Sequence, residues 1–379
     1  GVGHDHRSDV RKGFETGVQS HADPGRALGV QAAVTPVAGG IAEVGNDLHR
    51  LVGLRQRFPQ GDTLRLRREQ ARSMSAAEAA LAEERKLAVT RALREAWIER
   101  GYVAEALVIV EMQQSWYRQL EEAVNAAYAA GGRRQNDLFR IAMEREFLEE
   151  DEVRLMQVAR TWDAELGRWL GADADRVAIE GVPELPAPPP RETALLVLPE
   201  HPVLDAEMRR VDAGKLDVEI AKQRYRPNWA IDLSYGIRDG EDMSGDSRPD
   251  FFSAMLSFEL PIFPRDRQDR RVSAAMAGEL AIRNQLEDRQ REIRRRFETA
   301  WADYESLGRR TGLFEDRVLP AAVANVESTR LAYQNDVVPF DELVRSEKSL
   351  LDSRLQLIRL RADRSATAAE LHYLTGDTR

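Results

Sequence analysis

The side chains in this sequence best placed to do chemistry are charged groups gathered at two short breaks between helices. Ala127–Arg140 reads AYAAGGRRQNDLFR, and the pattern returns without gaps at Ala332–Arg345 as AYQNDVVPFDELVR. Each copy has Ala-Tyr, a helix-breaking segment, then an acid, Leu and Arg. Asp137, Asp341 and Glu342 supply carboxylates; Arg140 and Arg345 supply guanidiniums. Carboxylates repeated around a symmetry axis form rings that favour cations in a constriction. The plainer reading of Asp137 and Asp341 is N-capping and dipole pairing just past a turn. Gly131 and Gly132 permit positive φ in a tight turn. Arg133 and Arg134 are able to grip a partner, though exposed arginines are commonly just solvated. Val338 and Pro339 close the second break.

Catalytic chemistry finds no comparable foothold. The chain has no cysteine, which excludes disulfides, thiolate metal sites and Cys nucleophiles. No nucleophile triad, phosphate loop or HExxH motif occurs. Of the six histidines only His4-x-His6 has ligand-like spacing, and a terminal pair reads more readily as solvated chain than as a metal site. The expectation is therefore no enzyme, no cofactor and no resident metal. A net charge of −9 also disfavours nucleic acid as a partner.

The elements that must position the two breaks are long helices. From Leu64 to Ala130 there is no proline, and Ala, Glu, Arg and Leu dominate. Such a helix spans roughly 100 Å at ~1.5 Å per residue. Asp137–Leu170 continues as a second helix. A further long helix is expected over Gln268–Tyr333 and a last one over Phe340–Leu374. In the last, Leu343/Leu350/Leu357 and Val344/Leu351/Ile358 both repeat every seven, giving two adjacent packing seams. Both breaks thus read as tips of helical hairpins.

Ahead of each long helix lie strand-like pieces, Leu28–Val34 with Leu51–Phe58, and Trp229–Ile237 with Phe252–Leu260. Trp229, Ile231, Leu233, Tyr235 and Ile237 alternate with Ala230, Asp232, Ser234 and Gly236, as a half-buried strand requires. Residues 1–22 permit a short helix, 23–171 form a first unit, 172–200 a proline-rich connector with no packed element, and 201–376 a second unit. A helix over Val203–Arg224 opens the second unit. Four strands are too few to close a barrel alone, and a lone hairpin is marginal in water. Three symmetric copies would close a twelve-stranded sheet with polar residues in the lumen and apolar residues on lipid. No run of about 18 apolar residues occurs, a test that barrel strands escape. The competing architecture is a soluble antiparallel coiled-coil scaffold with a small sandwich.

Taken in order over about Asp23 to Gly376, these features resemble the TolC-like outer-membrane efflux family. The carriers are the doubled unit, Gln56-x-Phe58-Pro59-x-Gly61, Leu260-Pro261-Ile262-Phe263, Leu319-Pro320-Ala321 with Arg330-x-x-Tyr333, and the Tyr-x-x-Gly tip from Tyr128. The resemblance implies a mainly α chain with a small β part. A coiled-coil-like helical barrel would continue a trimeric twelve-stranded transmembrane β-barrel. It further implies an outer-membrane exit duct of a Gram-negative bacterium, reaching into the periplasm, with no enzymatic activity. Its partners would be outer-membrane lipid, a periplasmic membrane-fusion adaptor and an inner-membrane pump, most naturally of the RND type. Short loops resemble the heavy-metal cation subtype. By the same resemblance Gly131, Gly132, Arg133, Arg134, Val338 and Pro339 would dock the adaptor. Asp137, Arg140, Asp341, Glu342 and Arg345 would line the aperture. Two positions depart from the family: Asp336 stands where Gly is usual, and Arg345 replaces the second of two aperture acids. The first residues, GVGHDHRSDVRKG, show no apolar signal core, which leaves open a cytosolic protein or a processed or truncated start.

Overall fold

A computed structural model describes residues 30–37, 49–131, 134–176, 178–238, 244–263 and 265–377. The expected helix over 1–22, Leu28 and His4-x-His6 lie outside the described residues. The chain divides into two compact units, Gly1–Arg67 with Glu219–Ser273, and Arg68–Val218 with Ala274–Arg379.

The first unit holds a four-stranded antiparallel sheet in sequential order: β1 (Val30–Val37), β2 (His49–Phe58), β3 (Asn228–Arg238) and β4 (Phe251–Glu259). Register places Phe58, Trp229 and Phe258 in one row and Val52, Tyr235 and Phe252 in another. Because side chains alternate along a strand, these rows share one face. Phe58 and Trp229 stack with ring centroids 3.8 Å apart. The opposite face carries Arg55 and Asp232, register partners joined by a 2.8 Å ion pair, with Ser234, Ser253 and Ser257. Within the single chain, the apolar face is left bare: Val52, Leu54, Trp229, Tyr235, Phe252, Leu256 and Phe258 are all exposed.

The second unit is helical. α1 runs Thr63–Ala129 without interruption and α2 runs Gln135–Leu170, the pair forming the first hairpin. α3 (Arg191–Val197) and α4 (Pro202–Gln223) follow. The expected helix over Gln268–Tyr333 is present as α5 (Arg270–Leu313) and α6 (Leu319–Gln334), which run on through a π-helical turn at Phe314–Val318. Pro320 accounts for the turn. It has no N–H to give the carbonyl of Asp316, and its ring crowds that carbonyl. α7 (Phe340–Thr375) completes the second hairpin and ends at Gly376, φ +72°.

Both heptad seams of α7 are buried. Leu343, Val344, Leu351 and Ile358 join Val103, Val110, Tyr117, Ile141, Leu148 and Leu155 of the first hairpin in one core. A second core gathers Leu87, Ala194, Leu204, Phe297, Leu371 and Leu374 from five helices, with Leu198 from the 3-10 turn that follows α3.

The reading of 172–200 as a connector without packed elements is overturned. α3 buries Ala194 completely, and Leu198 follows it into the core. The preceding extended segment lies hard against α1. A Cβ on Gly101 would meet the carbonyl oxygen of Gly181 at 2.2 Å, so only glycine admits the strand of chain there. Val182 N–H donates to Glu105 Oε1 at 2.8 Å. The ring Nε2 of His372 lies 2.9 Å from the carbonyl of Pro186. Proline costs nothing in such a segment, because its amides need no ladder partners.

Candidate functional site

The two tips terminate their helices by the same device. At the first, Gly131 has φ +76° and its N–H donates to the Tyr128 carbonyl at 2.9 Å. At the second, the repeat-equivalent residue Asp336 has φ +57°, the one positive-φ non-glycine among the described residues. Its N–H donates to Tyr333 at 3.1 Å, and that of Val337 to Ala332 at 2.8 Å. This paired pattern satisfies the helix-terminal carbonyls and requires a left-handed residue at that position. Aspartate tolerates that conformation better than most side chains. Asn335 adds its amide to the Leu331 carbonyl at 2.8 Å.

Gly132 and Arg133 lie outside the described residues. Arg134 starts α2, and its N–H donates to Asp137 Oδ2 at 3.4 Å. Asp137 therefore caps its own helix. Pro339 starts α7 in extended conformation, Val338 packs on the first core, and Phe340 is buried against Tyr333.

The expected aperture residues divide into two sets. Arg140 crosses between the hairpins: Nε lies 3.7 Å from Asp341 of α7, while Nη2 pairs with Glu144 of its own helix at 3.1 Å. Arg345 instead stays on α7, pairing with Glu342 at 3.1 Å. Asp341, Glu342 and Arg345 are exposed, so these pairs are each worth about 0–1 kcal/mol and weaken with salt.

Beside the tips lies a buried polar cluster that the sequence reading missed. Glu347 of α7 is 1% exposed and pairs with Arg330 of α6 at 2.6 Å. The Arg330 guanidinium sits 5.0 Å from the Trp116 ring of α1. Gln113 and Tyr117 of α1 and Glu144 of α2 are likewise buried. Burial pushes the Glu347 carboxyl above the usual carboxylate range, against the opposing pull of Arg330. Burial, with the nearby Glu144 and Glu347 charges, pushes the Tyr117 hydroxyl well up. The available signal was spacing. Glu347 falls four residues after Leu343 and three before Leu350, on a seam that elsewhere is apolar.

Among the described residues no three His, Cys, Asp or Glu side chains converge as metal ligands. None of the described helices is long and apolar enough to cross a membrane.

No protein-family model matches the chain, and no curated protein is similar to it in sequence. Solved structures are similar in fold. A membrane protein from Pseudomonas aeruginosa superposes with TM-score 0.81 at 18% identity, over 93% of this chain and 82% of that one. The outer membrane protein VceC from Vibrio cholerae gives 0.77 at 17%, over 93% and 87%. The MtrE outer membrane channel from Neisseria gonorrhoeae, in its open state, gives 0.73 at 18%, over 93% and 81%. The chain has the fold of outer-membrane channels.

Proposed function

We propose that this chain is one protomer of a homotrimeric outer-membrane exit duct serving a tripartite efflux assembly. The observation that carries the reading is the uncovered aromatic face of an open four-stranded sheet, in a chain with an outer-membrane channel fold. An open edge and a bare apolar face are both liabilities in water. Three copies would close the edges into twelve strands and turn the aromatic face to lipid, leaving Asp232, Ser234, Ser253 and Ser257 in the lumen.

The helical unit supports the same closure. Inside one chain α7 packs its Val344–Leu351–Ile358 seam against the first hairpin. In repeat register Val344 and Ile358 correspond to Phe139 and Val153 of α2, and both of these are 63% exposed. A groove lined by Phe314, Val318, Arg345, Lys348, Asp352 and Gln356 lies open on the second hairpin. Seating α2 of one copy there repeats the internal contact head to tail, and such heterologous contacts close into rings.

On this reading the tips face the periplasm. Gly131, Gly132, Arg133, Arg134, Val338 and Pro339 meet a membrane-fusion adaptor that links the duct to an inner-membrane pump of the RND type. Asp137, Asp341 and Glu342 bias the aperture toward cations, which favours metal cations or small toxic compounds as cargo; the protein itself is a passive duct. The test is single-channel conductance of the purified trimer in planar bilayers. Arg140→Glu, which reverses the pair reaching across to Asp341, is expected to raise conductance by loosening the closed tips, whereas Arg345→Glu, whose pair lies within α7, is expected to change it less. A detergent-independent monomer that gives no channels would instead establish a soluble coiled-coil scaffold.

A further inference from the structure

The buried cluster beside the tips joins four helices around one carboxylate. Glu347 stands on α7. Gln113, Trp116 and Tyr117 face the cluster from α1, Arg140 and Glu144 from α2, and Arg330 from α6. Arg354, further along α7, adds a second positive charge near Glu347. Arg330 is the link between elements. It binds Glu347 within the second hairpin and stacks on Trp116 of the first. Gln113 is buried beside Tyr117 and Glu347, and its nearby amide favours the ionised carboxylate, opposing the effect of burial as Arg330 does.

We propose that Glu347 is the proton sensor of a clasp that fastens the second tip to the first hairpin, tightening when it takes up a proton and loosening when it loses one. The inference rests on the reading of the tips as the constriction of a duct and names what regulates it. In the closed arrangement the carboxyl is 1% exposed, so its ionised form is deprived of water. In an opened tip it regains water and titrates in the ordinary range. The closed state therefore holds the proton more firmly, as burial of Glu347 already indicates. By linkage, closure is favoured below the ordinary carboxylate pKa and weakens as pH rises through the raised one. Within that window the opening equilibrium changes by up to about tenfold per pH unit.

Hydrogen–deuterium exchange of the full-length protein tests this, reading the peptide over 331–345 between pH 4.5 and 7.5 after correction for intrinsic exchange. The wild-type tip is expected to lose protection as pH rises. E347Q removes the titrating group and should leave protection high and flat. R330Q removes the cation that opposes the shift and should move the transition to higher pH. Since Arg330 is half-exposed, R330Q keeps the test open should E347Q fail to fold. Wild-type protection that does not vary with pH would overturn the clasp. So would a transition that survives E347Q, because a group other than Glu347 would then be its source. An unmoved midpoint in R330Q would count equally against it. Exchange is read without transport, so these results bear on the clasp, whereas loss of the trimer or of conductance bears on the duct.

Discussion

Asp336 holds a conformation that L-residues normally avoid and glycine adopts freely, φ +57° at a helix end. Left-handed backbone costs an L-residue about 1–2 kcal/mol, somewhat less for aspartate. Asp336→Gly should therefore stabilise the protein by about 1 kcal/mol, and Asp336→Val should destabilise it by a similar amount, both measured as shifts in urea midpoint. His201 offers a residue-level test of pH. Its ring is buried against Tyr373, and burial holds its pKa below the ordinary histidine value. The unfolded chain takes up a proton near pH ~6.5, whereas the folded chain does so only lower down. Stability from His201 is thus present above that pH and is lost as pH falls toward the depressed value. His201→Phe should flatten the melting temperature between pH 7 and 5; an unchanged slope would place the titration elsewhere.

At the scale of elements, α3 is the part composition concealed. Leu198 is buried in the second core while Leu196, two residues earlier, is 77% exposed. Leu198→Ala should cost about 2–4 kcal/mol. Leu196→Ala should stay within about 0.5 kcal/mol by the same denaturation measurement. The four strands, α1, α2, α4 and α7 were legible because their periodicity of two or three to four extends over whole elements. The connector was not, because prolines and carboxylates read as solvated chain unless one knows that Gly101 leaves room for a neighbour. The π-helical turn before Pro320 was not legible, because the proline was outweighed by the helical pattern on either side. Tip positions were legible from Gly131 and its repeat partner. Glu347 was not, since a lone acid on a seven-residue seam looks like one more exposed glutamate until the facing helix is in place.

At the scale of the whole molecule, the repeat matters more than either copy. It supplies one contact between hairpins inside the chain and leaves its counterpart unmade. Phe139→Asp places a charge on the bare seam of α2, opposite a groove edged by Asp352 as well as Arg345 and Lys348. If copies close into the proposed trimer through this seam, the expected outcome is its dissociation in mild detergent, seen by light scattering, with helix content by circular dichroism unchanged. A trimer that survives both Phe139→Asp and Val153→Asp would mean that copies meet through another face.

The position of α7 also dictates when the protein can exist at all. Its ion pairs and hydrogen bonds reach back across most of the chain: Arg359 to Glu99, Glu370 to Arg91, and Tyr373 to Glu84. Leu360, Leu371 and Leu374 are wholly enclosed by residues synthesised long before them. During translation the first hairpin must therefore emerge and wait with its inner seam uncovered until the final helix leaves the ribosome. Contacts of such long sequence separation close slowly, and a waiting apolar seam binds whatever is nearby. The nascent chain should thus depend on holding chaperones until α7 arrives. Truncations that shorten α7 by a few turns should be degraded rather than merely weakened.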